Sequence, residues 1–305
     1  MFRLIILLSC LGFISTNVCG ENIHRPGELV QQYHNLIKSN KIATNLALIS
    51  SYKNDRLSAN IVGKIEHPFY RMQGFLKNIP NLCDFMLLNL NIKTCIATHK
   101  NDIAELVLFA GRKFYQHPRD GERIVYKVKI NSMLESYVDI SLTAAEGPYG
   151  TSEYVIRVQA EPDKNMTILH IHTGYTTSIM SRLGTGIYLS TMGSDKIGFS
   201  ITGYNKKHEP IYIQGEDGVI ERNAMRYYLG FLAMLEPEAD AGEKQFLRRA
   251  EKWFELTQQY KKQLYEMEKQ EYLGAKKQEY ANQRLLQQRV DKDKSIESVL
   301  EDVGD

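Results

Sequence analysis

Two histidines, His170 and His172, have a spacing that suits a metal site. Residues two positions apart on a β-strand point to the same face of the sheet, and two imidazoles so placed can bind zinc if a third ligand lies near. Three other side chains could complete such a site: His99, His117 and Glu146. The alternation of Leu169 and Ile171 competes with this interpretation, because it places both histidines on the outer, exposed face of the sheet. We predict neither a bound metal nor a cofactor.

A set of basic residues could bind an anion: Arg112, Lys113, Arg222 and Arg226. Arginine binds carboxylates and phosphates through two parallel hydrogen bonds. If Arg112 and Arg226 meet at the mouth of a hollow, they can hold an anionic headgroup or a carboxylate. The alternative is a solvated strand end beside a helix stripe that pairs with Glu221. The sequence leaves both interpretations open.

Five aromatic residues lie on predicted apolar faces of strands or of a helix: Tyr126, Tyr154, Tyr227, Tyr228 and Phe231. Tyrosine has an apolar ring and a polar hydroxyl group, so such residues can line a cavity for an amphipathic molecule. The alternative is a filled core in which each hydroxyl finds a local partner.

Motifs of nucleophilic catalysis and of phosphate binding are absent from the sequence. The segment Gly198–Thr202 fails at the last position of a Gly-x-Ser-x-Gly elbow, and no glycine-rich phosphate or dinucleotide loop occurs. Glu146 beside a Gly-Pro turn could act as an acid or base, although a lone carboxylate in a turn is usually solvated. The sequence therefore favours a binding function, with an enzyme as the alternative.

The elements that must position these residues are strands with alternating polarity, followed by one helix. Four segments alternate most clearly: Arg123–Ile130, Tyr137–Thr143, Ser152–Ala160 and Met166–Tyr175. Their short connections predict an antiparallel meander. An amphipathic helix over Asp217–Leu235 can cover the apolar face of that sheet. An insertion, Ser178–Gly215, separates the last strand from this helix. We expect its stretch Ile179–Met192 either to pack on the sheet or to contact a membrane surface.

The flanking segments are predicted to be helical. Apolar spacing predicts a helix over Glu28–Leu48 with a break near Ser39–Asn40. Composition shifts beyond Pro237, and Phe246–Gln288 is rich in Lys, Glu and Gln. We expect its aromatic half to pack on the domain and the half after Tyr272 to be solvated. Its heptad pattern has coiled-coil character but is irregular.

The bulk composition is that of a globular protein. The chain has 305 residues, 43% of them hydrophobic, and a net charge of +2, so no nucleic-acid partner is predicted. Residues 1–20 resemble a cleaved signal peptide, which predicts a periplasmic or secreted protein; an uncleaved anchor is the alternative. In an oxidising compartment Cys83 and Cys95 either form a disulfide, worth about 3 kcal/mol of chain entropy, or remain buried thiols.

A resemblance to a known superfamily extends over Ser58–Leu235. It is carried by four segments: Pro68–Met86, Ala110–Tyr115, Ala145–Thr151 and Glu221–Leu229. The order of one strand, two helices, six strands and a long helix resembles the helix-grip fold of the START and birch-pollen-allergen superfamily, which includes polyketide cyclase-like proteins. The segments are also similar to a group of uncharacterised exported bacterial proteins. Membership would imply a cavity for lipids or other hydrophobic molecules.

The fold class expected from these observations is α+β, with a curved antiparallel sheet wrapped around a long helix. The expected divisions are the signal peptide 1–20, an N-terminal helical segment 21–57, a helix-grip domain 58–236 with the insertion 178–215, and a charged extension 237–305. The expected function is an exported carrier of a hydrophobic or amphipathic molecule. The alternatives are a cyclase-like or hydrolase-like enzyme in the same cavity, and an envelope protein with membrane or protein contacts.

Overall fold

A nine-stranded antiparallel sheet forms the centre of the protein. The structure is a computed structural model, and it describes residues 25–39, 41–43, 45–178, 196–237, 240–292 and 295–296. The strands are β1 (Lys41–Ala43), β2 (Leu46–Lys53), β3 (Arg56–Ile65), β4 (Ile92–Lys100), β5 (Ile103–Ala110), β6 (Glu122–Leu134), β7 (Tyr137–Glu146), β8 (Ser152–Asp163) and β9 (Met166–Thr176). Their spatial order is β1-β2-β3-β9-β8-β7-β6-β5-β4, so β3 pairs with β9, the last strand of the meander.

Seven helices accompany the sheet in the described part of the chain. They are α1 (Leu29–Ser39), α2 (Phe69–Lys77), α3 (Ile79–Leu87), α4 (Gly215–Met234), α5 (Gly242–Gln258), α6 (Lys261–Leu264) and α7 (Lys269–Val290). A separate hairpin pairs β10 (Ile201–Tyr204) with β11 (Pro210–Tyr212). The inner face of the curved sheet packs against α2, α3 and α4. Side chains from the sheet and from these helices form one continuous apolar core. The expected helix-grip arrangement is confirmed.

Close aromatic packing fixes α4 against α3. The ring centroids of Phe231 and Phe85 are 4.3 Å apart, and those of Phe231 and Phe75 are 5.9 Å apart. Gly230 permits this approach, because a Cβ atom there would lie 2.8 Å from the Phe85 ring. These contacts therefore fix the distance between α4 and α3.

The predicted helix over Glu28–Leu48 is wrong in its second half, because residues 46–53 form strand β2. Leu46 and Leu48 enter the main core, whereas Ala47 faces the opposite side of the sheet and packs with residues of α1. A strand that is buried on both faces lacks the alternation of polarity that identifies most strands. The apolar spacing of this segment therefore did not distinguish strand from helix.

Helix α1 covers part of the outer face of the sheet. Leu29 and Tyr33 pack there against Val62 and Ile168. The buried carboxylate of Glu161 on β8 accepts hydrogen bonds from two backbone N–H groups at the start of this segment, at 2.5 and 3.3 Å. A carboxylate in this position satisfies N–H groups that a helix leaves unpaired at its N-terminus.

The charged extension is more buried than its composition predicts. Helices α5 and α7 are antiparallel, since Phe246 stacks on Tyr280 at 4.3 Å and Trp253 stacks on Tyr272 at 5.3 Å. The expectation that the half after Tyr272 is solvated is wrong: buried side chains continue to Leu286. Many of them are polar and find partners on the main domain, so hydropathy does not reveal their burial.

Two glutamines of α7 cover the free edge of strand β4. The side-chain amide of Gln287 accepts a hydrogen bond from the backbone N–H of Ala97 and donates one to its carbonyl, both at 2.9 Å. Gln283 accepts a hydrogen bond from the backbone N–H of Cys95 at 3.0 Å. These contacts reproduce the pairing that a tenth strand would make, and they close an edge that would otherwise be open to another chain.

A disulfide joins Cys83 of α3 to Cys95 of β4, with their Cα atoms 5.1 Å apart. It ties a helix that packs inside the sheet to the strand at its edge. The predicted signal peptide and the stretch Ile179–Met192 lie outside the described residues. Within the described residues, no helix is long and apolar enough to cross a membrane.

Candidate ligand-binding site

Four tyrosine side chains converge between the sheet and α4. Tyr126, Tyr154 and Tyr175 extend from the inner faces of β6, β8 and β9, and Tyr227 extends from α4. The rings of Tyr126 and Tyr154 meet edge to face at 6.3 Å, and those of Tyr154 and Tyr175 stack at 5.1 Å. We call this group the tyrosine cluster.

The tyrosine cluster combines accessible surface with strong desolvation. Tyr154, Tyr175 and Tyr227 are half-buried by accessible surface. Burial nevertheless raises the pKa of each hydroxyl group, and it raises the pKa of Tyr126 well above its ordinary value. The hydroxyl groups of the cluster are therefore largely shielded from bulk water, although three of the side chains keep accessible surface.

Three hydroxyl groups of the cluster are available for new hydrogen bonds. Within the described part of the chain, the hydroxyl groups of Tyr126, Tyr175 and Tyr227 have no hydrogen-bond partner. The hydroxyl of Tyr154 lies 2.7 Å from the hydroxyl oxygen of Thr151. Buried phenol groups normally find a partner, so these three can accept or donate hydrogen bonds to a bound molecule.

The turn between β7 and β8 packs directly on the cluster. The ring of Tyr154 occupies the place that a side chain at Gly147 would take. Thr151 also donates a hydrogen bond to the carbonyl of Pro148, at 2.5 Å. Tyr149, which follows Pro148, has a φ of 57° and is 79% exposed. Contacts with Gly147 and Thr151 of this turn therefore fix the position of the Tyr154 side chain.

The start of α4 is held by a buried carboxylate. Glu221 is fully buried and accepts four hydrogen bonds: from the hydroxyl groups of Ser50 (2.8 Å) and Ser200 (2.6 Å), and from the backbone N–H groups of Phe199 (2.6 Å) and Ser200 (2.9 Å). It thereby joins β2, α4 and the segment before the β10–β11 hairpin. The neighbouring Arg222 donates to the carbonyl of Ile197 at 3.3 Å.

The structure does not bring all the predicted ligand-binding residues together. Tyr228 points away from the tyrosine cluster, and its hydroxyl donates to the carbonyl of Lys64 at 3.3 Å beside Gly63. Phe231 is fully buried in the core. Arg112 is exposed, with its guanidinium 5.7 Å from the ring centre of Phe114. Arg226 binds Glu266 instead of meeting Arg112.

Sequence reasoning missed Tyr175 and Glu221 as members of this region. Tyr175 shares the strand face of Leu169 and Ile171, so its alternation could have placed it in the site. Glu221 carried no such signal, because a glutamate in an amphipathic helix normally faces solvent.

The two histidines of β9 are buried and not exposed, so the expectation of an exposed pair is wrong. His170 lies within 3.1 Å of both Gln159 and Asn60, and His172 lies 3.1 Å from the same oxygen of Asn60. Packing covers this part of the outer face, and the polar groups satisfy each other. Among the described residues, no group of three or more His, Cys, Asp or Glu side chains is arranged to hold a metal ion.

The raised tyrosine pKa values predict a loss of stability in alkali. The ordinary pKa is 10.0, and burial raises it for Tyr126, Tyr154, Tyr175 and Tyr227. Above that pH the unfolded chain loses these protons while the folded state keeps them, so the free energy of unfolding falls as pH rises. We expect this contribution to be constant below about pH 9 and to fall above about pH 10.

Absorbance of tyrosinate at 295 nm, followed with circular dichroism during an alkaline titration, measures this effect. The ionisation of the cluster should coincide with unfolding. Replacement of both Tyr126 and Tyr227 by phenylalanine should make stability less dependent on pH above 10, whereas the exposed Tyr204→Phe variant should behave as wild type. Full tyrosine ionisation near pH 10 in protein that is still folded would contradict the burial argument.

Comparison with known proteins finds similarity in solved structures. No protein-family model matches the sequence, and no curated protein matches it. An uncharacterised protein from Bacillus thuringiensis shares 16% identity with a TM-score of 0.30, over 44% of this chain and 91% of that chain. Ara h 8.0201 shares 9% identity with a TM-score of 0.29, over 48% of this chain and 91% of that chain. Human StAR-related lipid transfer protein 5 shares 7% identity with a TM-score of 0.32, over 56% of this chain and 93% of that chain. These values do not assign a function, and the fold described above follows from this chain's own topology.

Proposed function

We propose that the protein binds an amphipathic small molecule between the sheet and α4. The apolar body of the molecule contacts the inner face of the sheet, and its polar end forms hydrogen bonds with the tyrosine cluster. The observation that supports this most directly is the set of three desolvated hydroxyl groups, on Tyr126, Tyr175 and Tyr227, without partners in the described part of the chain.

The cluster favours an uncharged polar end. Besides burial, only the hydroxyl groups of Tyr154 and Tyr227 influence the pKa of Tyr126. The pKa of Tyr175 also responds to Glu216 and Arg222, and that of Tyr227 to Arg226, so charged residues lie only on the other side of the cluster. Beside Tyr126 a charged group would lose its hydration without an ion-pair partner, which is costly. A hydroxyl, ester or ketone oxygen can instead accept or donate hydrogen bonds to the phenols. We therefore infer a neutral lipid or a similar molecule as the ligand class.

We also propose that binding takes place outside the cytoplasm. The signal-like residues 1–20 support this, and so does the bridge between Cys83 and Cys95, since disulfides persist in oxidising compartments. A mature protein that still begins before residue 21 would argue against cleavage and export as a free protein.

A binding experiment with a monoacylglycerol tests the ligand class. Delipidated full-length protein is mixed with the lipid, and the bound fraction is measured by native mass spectrometry and by titration calorimetry. Phenylalanine at positions 126 and 227 keeps the ring shape and removes one hydroxyl each. Because a hydrogen bond contributes about 0.5–1.5 kcal/mol, each change should weaken binding about 2-fold to 12-fold.

The matched control is Tyr204→Phe on the β10–β11 hairpin. Its side chain is 64% exposed and is not part of the tyrosine cluster. It should bind the lipid as wild type does. Wild-type protein that retains no monoacylglycerol, or variants at 126 and 227 that bind as tightly as wild type, would overturn the proposal.

A further inference from the structure

The β10–β11 hairpin is a two-stranded sheet that stands apart from the core. In the described part of the chain it pairs with no strand of the nine-stranded sheet, and none of the residues 201–212 is buried. Its base is fixed, because Glu221 accepts hydrogen bonds from the backbone N–H groups of Phe199 and Ser200. The ring of Phe199 also packs edge to face on Tyr260 at 5.4 Å. The hairpin is therefore anchored at its base and open to solvent beyond it.

Three large apolar side chains of this hairpin are exposed. Ile201, Tyr204 and Ile211 are 50, 64 and 47% exposed. Ile211 lies opposite Gly203, which has no side chain to cover it, and nothing lies within 4 Å of a Cβ atom placed at Gly203. Tyr204 lies opposite Pro210 in the next pair along the ladder, so its ring lies on the other face. The hairpin therefore presents apolar groups on both faces.

The turn at the tip of the hairpin has an excess of positive charge. Lys206 and Lys207 are exposed, and in the described part of the chain neither ammonium group has a partner. The one acid of the turn, Glu209, accepts a hydrogen bond from the side chain of Asn205 at 2.7 Å. A further amine lies beside the hairpin, since Nζ of Lys262 is 4.9 Å from the ring centre of Tyr212. Exposed apolar groups and unpaired lysines thus occur together.

The acidic residues that follow the hairpin interact with the domain and not with the tip. Glu216 and Asp217 lie in the first turn of α4. The pKa of Tyr175 is raised by burial first and then by Tyr154 and Glu216, so Glu216 lies near the tyrosine cluster. The pKa of Asp217 is raised by burial and by Glu221. These carboxylates therefore leave the charge of the tip lysines in place.

We propose that this hairpin docks the protein on the surface of an anionic phospholipid bilayer. Lys206 and Lys207 bind lipid phosphates. Ile201, Tyr204 and Ile211 enter the headgroup layer, where aromatic and apolar side chains are stabilised. The strands go no deeper, because the outer edges of a two-stranded sheet have unpaired backbone groups, which hydrocarbon does not tolerate.

The distribution of apolar groups favours a bilayer over a protein partner. A protein surface that docks flat on one face of the hairpin covers either Tyr204 or Ile211 and leaves the other exposed. A headgroup layer surrounds the tip and covers both faces at once. The lysines add charge complementarity to anionic lipid, which an apolar protein surface would lack.

Sedimentation with vesicles tests the charge complementarity. Full-length protein is mixed with vesicles of phosphatidylcholine, or of an equimolar mixture of phosphatidylcholine and phosphatidylglycerol. Each lysine near an anionic surface contributes about 5-fold to binding, so Lys206→Gln with Lys207→Gln should weaken binding to the mixed vesicles about 30-fold. The control, Lys127→Gln with Lys129→Gln, removes equal charge from exposed positions of β6 and should bind as wild type does. Residues 1–20 are present in every variant, so their contribution cancels in the comparison.

A tryptophan probe gives a readout that is local to the hairpin. Tyr204→Trp and Tyr70→Trp place the probe at two tyrosines of similar exposure, 64 and 67%, and the native Trp253 is buried and common to both variants. We expect mixed vesicles to shift the emission of the Tyr204→Trp variant to shorter wavelength, and brominated lipid to quench it. The emission of the Tyr70→Trp variant should not change.

Two results reject the membrane contact: equal binding of both lysine double variants to the mixed vesicles, and unchanged emission of Tyr204→Trp protein that sediments with them. Emission of this variant that is already shifted without vesicles assigns the patch to another segment of the chain. A shift that follows protein concentration assigns it to a second copy, and both of these results also reject the proposal. The contact does not depend on the neutral-lipid site, so protein with phenylalanine at positions 126 and 227 should dock as wild type does, and the two proposals can fail independently.

Discussion

Replacement of Glu279 by leucine is expected to lower the free energy of unfolding by about 3–5 kcal/mol. Glu279 is fully buried on α7 and binds two buried lysines: Oε1 lies 2.7 Å from Nζ of Lys93, and Oε2 lies 2.7 Å from Nζ of Lys276. Burial lowers the pKa of Lys276 to about 8 even with this carboxylate beside it. Without Glu279, two ammonium groups remain buried and lack their counterion.

Lys276 of α7 binds backbone carbonyls of the main domain directly, and Lys93 of β4 reaches α7 through Glu279. Lys93 donates to the carbonyls of Leu90 and Phe114 at 2.8 and 3.0 Å. Lys276 donates to those of Asn89 and Ile92 at 2.6 and 3.1 Å. Loss of the central carboxylate should therefore loosen the attachment of the whole extension and not just one side chain.

Urea denaturation followed by circular dichroism measures the change at Glu279. Glu271→Gln, on an exposed turn of the same helix, is the control and should alter stability by less than about 0.5 kcal/mol. A variant with methionine at positions 93, 276 and 279 should recover much of the loss, because apolar groups of similar size need no counterion. A loss below about 1 kcal/mol for Glu279→Leu would contradict the buried-charge argument.

The second large effect is expected at Glu221. Replacement by alanine removes the acceptor of two serine hydroxyl groups and of two backbone N–H groups. The serine side chains are half-buried, so their hydroxyl groups can turn to water. Each of the two backbone N–H groups left without a partner costs about 1–3 kcal/mol, so we expect a total loss of about 2–6 kcal/mol. Glu221→Gln keeps one acceptor oxygen and should lose less.

Hydrogen exchange locates this effect in the chain. The amides of Phe199 and Ser200 should lose protection in the Glu221→Ala variant, because their acceptor is gone. Glu209→Gln changes an exposed carboxylate in the nearby hairpin, keeps the hydrogen bond to Asn205 through its amide oxygen, and should leave both protection and stability unchanged. Unchanged protection at Phe199 and Ser200 in Glu221→Ala would show that these hydrogen bonds do not hold the segment.

The meander and its covering helix could be predicted because their residues alternate in a way that simple burial dictates. In β6, Ile124, Tyr126 and Val128 face the core. Val125 and Lys127 alternate with them on the other face of the sheet, where Val125 packs against a second apolar cluster. Strand β2 failed this reasoning because both of its faces are buried. Helix α7 failed it for the opposite reason: Lys276, Glu279 and Gln283 are buried with partners that lie far away in sequence, and local composition contains no information on them.

The candidate site also contains some residues that could be predicted from the sequence and others that could not. Tyr126, Tyr154 and Tyr227 were predicted from their place on apolar faces. Tyr228 lies about 100° further round α4 than Tyr227 and points to Gly63 instead. Phe231 lies one turn after Tyr227 on the same face, where both rings contact Phe85, and it is fully buried. The partners of Arg226 could not be predicted, since a glutamate forty residues further along the chain neutralises it.

The glutamine contacts on strand β4 have a consequence for biosynthesis. Ala97 receives its side-chain partner from Gln287, a residue 190 positions later. While the polypeptide is being synthesised, this edge of the sheet therefore remains unprotected long after the strand itself has emerged. Self-association of nascent or truncated molecules through this border is then the main hazard, and a chaperone that shields exposed strands during that interval would raise the yield of native protein.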